Sequence, residues 1–361
     1  MIGATNRTKR FLLSSMFFFG CFFIMVPQAA FSQEKTPKNI SPTDVWNLSN
    51  SIIHSLKTTY NLTSNYDKEP IVDPSLKPSE GGVKPRNVYQ KVCFVAEEYN
   101  RVFSNSLDAK KIAEAHKKDA AEITPSHVFG VLLFMKDHLV KEKNFKEAPL
   151  QEDKTPGHVY QNMRSISFYL NEIYLKKSKK KLYSPGKVYE LNVTQVLPLL
   201  KALSKENGVK PEVFRFPTIM VEGIKPRHIF KLQQFTYKDI SKHFEKNKEK
   251  DPWTKSTYKP IVLSEKIMGK ELEKINPGDV FDLTVLIIGE LKIIKGSHSL
   301  DSDTLEKYEK WKKIKEKETV KPGDVYMIVQ HNKRLAKSIT DAAKLKQCDL
   351  SRLVFKGDVI L

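Results

Sequence analysis

The chain has 361 residues, with 61 Lys and Arg against 42 Asp and Glu and a formal charge of +19. That length exceeds one typical domain, so two domains or one elongated array are the expected layouts. Beyond the first 32 residues no apolar run approaches the roughly 18 residues of a membrane span: even 280–294 is interrupted by Asp282, Gly289, Glu290 and Lys292.

The first segment reads as a secretory signal peptide. A basic start (Arg7, Lys9, Arg10) precedes an apolar run over 11–26, and the small-residue site Ala30-Phe31-Ser32 precedes Gln33. The run is short for a bilayer span and Pro27 ends it, so cleavage is expected in preference to an uncleaved anchor. A lipoprotein site at Cys21 lacks the usual Leu in Phe18-Phe19-Gly20-Cys21. The mature protein is then periplasmic or secreted. Without Arg7, Lys9 and Arg10 the 61 basic residues fall to 58 against 42 acidic ones, a charge of +16. Such an excess points to an anionic envelope polymer as partner. The same lysines, spread through linkers and helix ends, also read as a solvated surface.

Eight prolines share one context: Pro42, Pro85, Pro125, Pro156, Pro185, Pro226, Pro277 and Pro322. Two mostly polar or small residues follow each, then a β-branched residue, then an aromatic. The pairs are Val45-Trp46, Val88-Tyr89, Val128-Phe129, Val159-Tyr160, Val188-Tyr189, Ile229-Phe230, Val280-Phe281 and Val325-Tyr326. Proline at the first helical position has φ already set and gives up an N–H that would lack a partner, so the motif predicts eight helix starts.

The residue before each proline is the cap. Ser41, Thr124, Thr155, Ser184 and Asn276 are good capping types; Lys84, Lys225 and Lys321 are not. One position earlier an apolar residue (Ile40, Val83, Ile123, Tyr183, Ile224, Ile275, Val320) can staple onto the β-branched residue, Lys154 being the exception. The third helical position holds Asp44, Asn87, His127, His158, Lys187, His228, Asp279 and Asp324. Three histidines there raise a metal or proton-relay site, but each belongs to a different helix start with no ligand at i+4, and capping is the preferred reading.

Apolar residues then recur at steps of three and four, as in Val128, Leu132, Met135 and Leu139, which is the helical period. Helices of roughly 16 to 22 residues leave connections of about 10 to 30 residues, longer than bundle loops usually are. Segments 108–121 and 302–317 read as further helices, and 68–85 as extended. A connection of about 20 extended residues can run back along a helix of about 30 Å, which would let neighbouring helices run parallel.

The fold class is therefore all-α, a helical repeat protein with eight motif-started helices, arranged as two four-helix groups or one continuous array. The lysine run 176–181 supplies the boundary: signal peptide 1–32, first group 33–181, second group 182–361.

The sequence has no G-x-S-x-G, H-E-x-x-H, C-x-x-C, Walker A loop or G-x-G-x-x-G. Catalysis thus rests on nothing visible, and no cofactor and no metal are expected. The candidate ligand-binding residues are the motif aromatics Trp46, Tyr89, Phe129, Tyr160, Tyr189, Phe230, Phe281 and Tyr326, whose rings are efficient contact surfaces. Filling the same gap between neighbouring helices is the preferred account of them. Asp282 and Glu290, inside the most apolar helix, are expected on a narrow exposed stripe rather than buried and paired. Cys93 and Cys348 either form a disulfide or leave Cys93 a buried thiol.

The basic runs 176–183 and 246–258 carry aromatics, but an exported protein seldom meets nucleic acid, so that is not an expected partner. The leading functional expectation is a non-enzymatic binding or scaffold protein of the cell envelope. Its rivals are a periplasmic ligand-binding sensor, which needs a cavity lined by several motif aromatics, and an envelope hydrolase, which needs two carboxyls converging in a cleft.

Overall fold

Each motif proline is the first residue of a helix. In the computed structural model α1 spans Pro42–Thr59, α2 Pro85–Val102, α3 Ala109–His116, α4 Pro125–Lys141 and α5 Pro156–Ser178. Then come α6 Pro185–Leu191, α7 Leu197–Glu206, α8 Pro226–Lys246, α9 Pro277–Leu291, α10 Ser302–Glu318 and α11 Pro322–Gly357. The structure describes residues 39–357 except 67, 105, 117, 217–220, 265–273 and 295–297, and no side chains at 120, 315–318 and 343–357. The leader and the Cys348 side chain lie outside the described residues; Cys93 is a buried free thiol. Among the described residues there is no strand, only two isolated β-bridges, so the class is all-α.

The capping works mainly from inside the helix. The third-position side chain accepts the cap N–H at α1 (Asp44, 2.8 Å), α2 (Asn87, 3.2 Å), α9 (Asp279, 3.0 Å) and α11 (Asp324, 2.9 Å). At α4, α5 and α8 the acceptor is histidine Nδ1: His127 (3.1 Å), His158 (3.3 Å) and His228 (3.2 Å). This is how Lys84, Lys225 and Lys321, poor caps by type, can stand at helix starts: the residue three places on satisfies their backbone N–H. The apolar residue before the cap (Ile40, Val83, Ile123, Tyr183, Ile224, Ile275 or Val320) packs on the core as a staple would, Lys154 being the exception.

Helices α6 and α7 form one continuous helix joined by a π turn at Asn192–Val196. Pro198 supplies the cause. It has no N–H to give the carbonyl four residues back and its ring clashes there, so the helix widens instead of breaking.

In the first half α1 packs on α4 and α5, and α2 packs on the same two. The motif proline and valine of all four line one narrow crevice, so the four helix starts converge and the helices run the same way. In the second half α6 packs on α9 and α11, and α8 on the same two. The starts of these helices are also close, Gly278 lying against Tyr183 and Gly186 against Val320. The halves meet where α9 packs on α2.

Parallel neighbours require the chain to return along the bundle, and two extended straps do so. Along α1, Thr43, Asn47, Ser51, Ser55 and Thr59 stand four residues apart on one stripe and hydrogen-bond the backbone of 144–154. Lys154 N–H donates to Thr43 Oγ1 (3.0 Å) and Gln151 N–H to Asn47 Oδ1 (3.0 Å). Ala148 N–H donates to Ser51 Oγ (3.1 Å) and Lys146 N–H to Ser55 Oγ (2.8 Å), while Thr59 donates to Asn144 O (3.5 Å). Along α5, Tyr169, Arg164 and Gln161 hold the backbone at Tyr66, Glu69 and Lys68 in the same manner. That strap ends at Gly81, whose φ is +90° and where a Cβ would stand 2.7 Å from Pro260 O, so only glycine lets 71–81 pair with 260–264.

Truncating both hydroxyls in Ser51→Ala/Ser55→Ala removes the acceptors of two part-buried strap amides, at a cost of about 0.5–1.5 kcal/mol per bond. Hydrogen exchange at the Lys146 and Ala148 amides should accelerate locally well before global unfolding. Unchanged protection at both amides would show that the ladder does not hold the strap.

Candidate functional site

Two clusters of buried charge cross from the first half to the second. In one, Arg164 of α5 donates through Nε to Asp282 Oδ2 (2.8 Å) and through Nη2 to Asp279 Oδ1 (2.9 Å), both on α9. Lys91 of α2 donates to Asp282 Oδ1 (2.7 Å) and to Ser167 Oγ (2.9 Å), and Ser167 donates to Glu98 Oε2 (2.6 Å). Arg164 and Lys91 are buried.

In the other cluster, Arg86 of α2 donates to Asp251 Oδ2 (2.6 Å), Glu290 Oε1 (3.0 Å) and Gly289 O (3.2 Å). Glu290 also accepts from Asn87 Nδ2 (3.0 Å) and Tyr258 OH (2.6 Å), and Lys84 Nζ stands 3.6 Å from it. Each cluster pairs two cations with two carboxylates at its centre, which is what allows ions to be buried at all.

The environments push the acids in different directions. Burial raises Glu98 and Asp279 above their ordinary values, in Asp279 against the pull of Arg164. Burial works the same way on Glu290 and Asp251, but there Lys84 and Arg86, with hydrogen bonds from Tyr258, Asn87 and the Thr254 amide, overcome it and hold both below their usual values.

Above the first cluster a cleft of about 180 Å³ opens between α5 and the start of α9, lined by Tyr66, Lys68, Arg164, Phe168, Tyr183 and Asp279 among others. Its chemistry is a guanidinium floor, the ammonium groups of Lys68 and Lys181 and aromatic walls, suited to a small polar or anionic molecule. Asp279 and Asp282 both face this cleft, the convergence that hydrolysis by paired carboxyls requires. All four of their oxygens already accept bonds, from Arg164, Lys91 and the Asn276 N–H. A proton on either carboxylate would weaken its bonds to the cations that hold it.

The expectation that Asp282 and Glu290 lie on an exposed stripe is overturned: they are 6% and 0% exposed and paired. The reason is that α9 lies between the two halves, with α2 on one side and α6 and α8 on another, so it has no solvent face for them. Sequence reasoning missed Lys84, Arg86, Lys91 and Arg164 as their partners. A signal existed in α2 for Lys91, which with Gln90 interrupts an otherwise apolar stretch over 88–96 with no polar face to carry it.

The motif aromatics are distributed through the packing. Tyr89, Tyr160, Tyr189, Phe230 and Phe281 are buried, and Trp46, Phe129 and Tyr326 half-buried. Tyr160 OH donates to Asp282 O (3.0 Å), Phe281 meets Phe94 edge to face at 5.7 Å, and Tyr189 stacks on Trp311 at 4.2 Å. Tyr89 meets His127 edge-on and Lys154 Nζ sits 4.8 Å above the Trp46 ring. The cleft over Arg164 contains none of the eight; a second one beside α10 contains Tyr189 alone.

The three third-position histidines stay apart, each with Nδ1 committed to its own cap. No helix among the described residues is long and apolar enough to cross a membrane. Comparison with known proteins finds no matching family, curated protein or solved structure.

Proposed function

We propose that the chain is an exported, non-enzymatic helical repeat protein, a tandem pair of parallel four-helix groups, that acts in binding or scaffolding within the cell envelope. The observation that carries this reading is the use made of buried charge. Arg164 and Lys91 on one side and Asp279 and Asp282 on the other, with Arg86 and Glu290 as a second lock, are spent on fixing one group against the other. Satisfied buried networks give rigidity and a unique arrangement, which a platform needs, whereas a general base needs a lone pair within reach of substrate.

The repeat is supported by the shared helix start and by the order of contacts, in which the first and second motifs of each half both touch the third and fourth. The leader-like first 32 residues support export, and the charge of +16 that remains without Arg7, Lys9 and Arg10 supports an anionic polymer among the partners.

The test is a pull-down with the mature protein from an envelope fraction at low and high salt. A protein partner that survives high salt, or an anionic polymer released by it, is the expected result. Recovery of nothing at either salt would overturn the reading. A ligand-binding sensor is the second reading, favoured by the cleft over Arg164. It is tested by a rise in thermal midpoint with small anionic metabolites that Lys68→Ala abolishes.

A further inference from the structure

A larger cleft, of about 510 Å³, lies at the starts of α1 and α5 against the turn that follows α8, and its walls include Thr43, Lys77, Ser79, Asp153, Lys154 and Trp253. Trp253 is the unusual member. Trp311 is stacked on Tyr189, and Trp46 packs on the core beneath Lys154. The Trp253 ring is half-buried and, among the described residues, makes no ring contact and its indole N–H no hydrogen bond. A ring of this kind has an apolar face and a polar N–H both left for a ligand.

The ring is nonetheless held in place. The backbone N–H groups of Trp253 and Thr254 both donate to Asp251 Oδ1 at 3.0 Å, and Oδ2 of the same carboxylate accepts from the buried Arg86 guanidinium at 2.6 Å. One of the two buried ionic clusters thus fixes the turn that presents the indole, so little ordering cost remains when something binds there.

We propose that this cleft is a carbohydrate site for an anionic glycan, with Trp253 as its stacking platform. The apolar C–H face of a pyranose lies on the indole. The hydroxyls of Thr43 and Ser79 and the carboxylate of Asp153 meet the sugar hydroxyls, and Lys77 and Lys154 meet its acidic group. Two ammonium groups against one carboxylate leave the cleft cationic, which selects an acidic sugar over a neutral one.

The proposal rests on the binding reading above. It is tested on purified protein, so that its failure and a failed envelope pull-down are separate results. The chain has three tryptophans, so Trp46→Phe/Trp311→Phe leaves Trp253 as the sole indole reporter. The full chain in that form is titrated with a hyaluronan tetrasaccharide, which alternates acidic and neutral sugars, and with neutral chitotetraose.

The expected result is a saturable blue shift of Trp253 emission with the acidic probe, and affinity about tenfold weaker for the neutral one. By calorimetry on the otherwise unmodified chain, Trp253→Ala should weaken binding by about tenfold or more while Trp253→Tyr stays within about threefold. Lys77→Ala should weaken the acidic probe alone. Because the ring is not packed in the core, Trp253→Ala should melt with the parent, which separates lost binding from lost folding. No emission change, equal binding of the two probes, or undiminished binding by Trp253→Ala would each overturn the proposal.

Discussion

Replacing Arg164 by Ala is expected to destabilise the folded chain by about 3–5 kcal/mol, the largest effect of any single substitution we foresee. The guanidinium is buried and donates to Asp279, Asp282 and Glu69 O. Its removal leaves two carboxylates in the seam with Lys91 as the remaining cation bonded to Asp282, and an uncompensated buried charge costs far more than the pair contributed.

Urea unfolding should show the loss as a lower midpoint. Two controls identify the cause. Adding Asp279→Asn to Arg164→Ala should recover part of the stability by removing one orphaned charge, and the deficit should shrink at low pH, where the orphaned carboxyls take up protons. A loss under about 1 kcal/mol, the scale of a solvent-exposed pair, would show that Arg164 does not clamp the two halves.

Acid should weaken the fold well above the range where ordinary carboxylates titrate. Burial pushes the imidazoles of His243 and His331 down to about 4, and both are nearly inaccessible, at 1% and 3% exposure. An unfolded histidine takes its proton near 6.5, so below that pH the unfolded chain binds more protons than the folded one and stability rises with pH. Their contribution is fully present above about pH 6.5 and is lost as pH falls to about 4. At about 1.4 kcal/mol per unit this is on the order of 3 kcal/mol for each.

His127 and His158 are also held below their ordinary value, mainly by burial, and act in the same direction. In both, Nδ1 accepts a cap N–H, so a proton there both breaks the cap and sets a positive charge at the positive end of a helix. Glu98, Asp279 and Asp239, whose carboxyls burial raises, work oppositely and offset part of the loss. Urea midpoints at pH 7.5, 6.0 and 5.0 should fall monotonically, and His331→Gln with His243→Gln should flatten the trend. A flat profile over that range in the parent would sink the account.

The buried histidines also show where sequence reasoning stops. His243 and His331 sit in helices whose charged neighbours read as solvated faces, and only tertiary packing encloses them, with Asn207 beside His243 and Phe214 against His331. The straps are a similar case. The possibility of an extended return was legible from connection length, whereas the stripe Thr43, Asn47, Ser51, Ser55 and Thr59 has meaning only once the 144–154 backbone lies along it.

What the sequence determined by itself is where the principal helices begin. A proline with preset φ, a residue able to accept the cap N–H three places on and an apolar staple act within about one helical turn, so they need no partner from elsewhere. What only the tertiary structure decided is which charges are buried and which cleft they support. Arg164 meets Asp279 across 115 residues and Arg86 meets Glu290 across 204. An ionic side chain inside an apolar helix is compatible with a solvent stripe or with a buried pair, and the choice falls to whatever element lies against it. Here α2, α6 and α8 all pack on α9, which leaves Asp282 and Glu290 only 6% and 0% exposed.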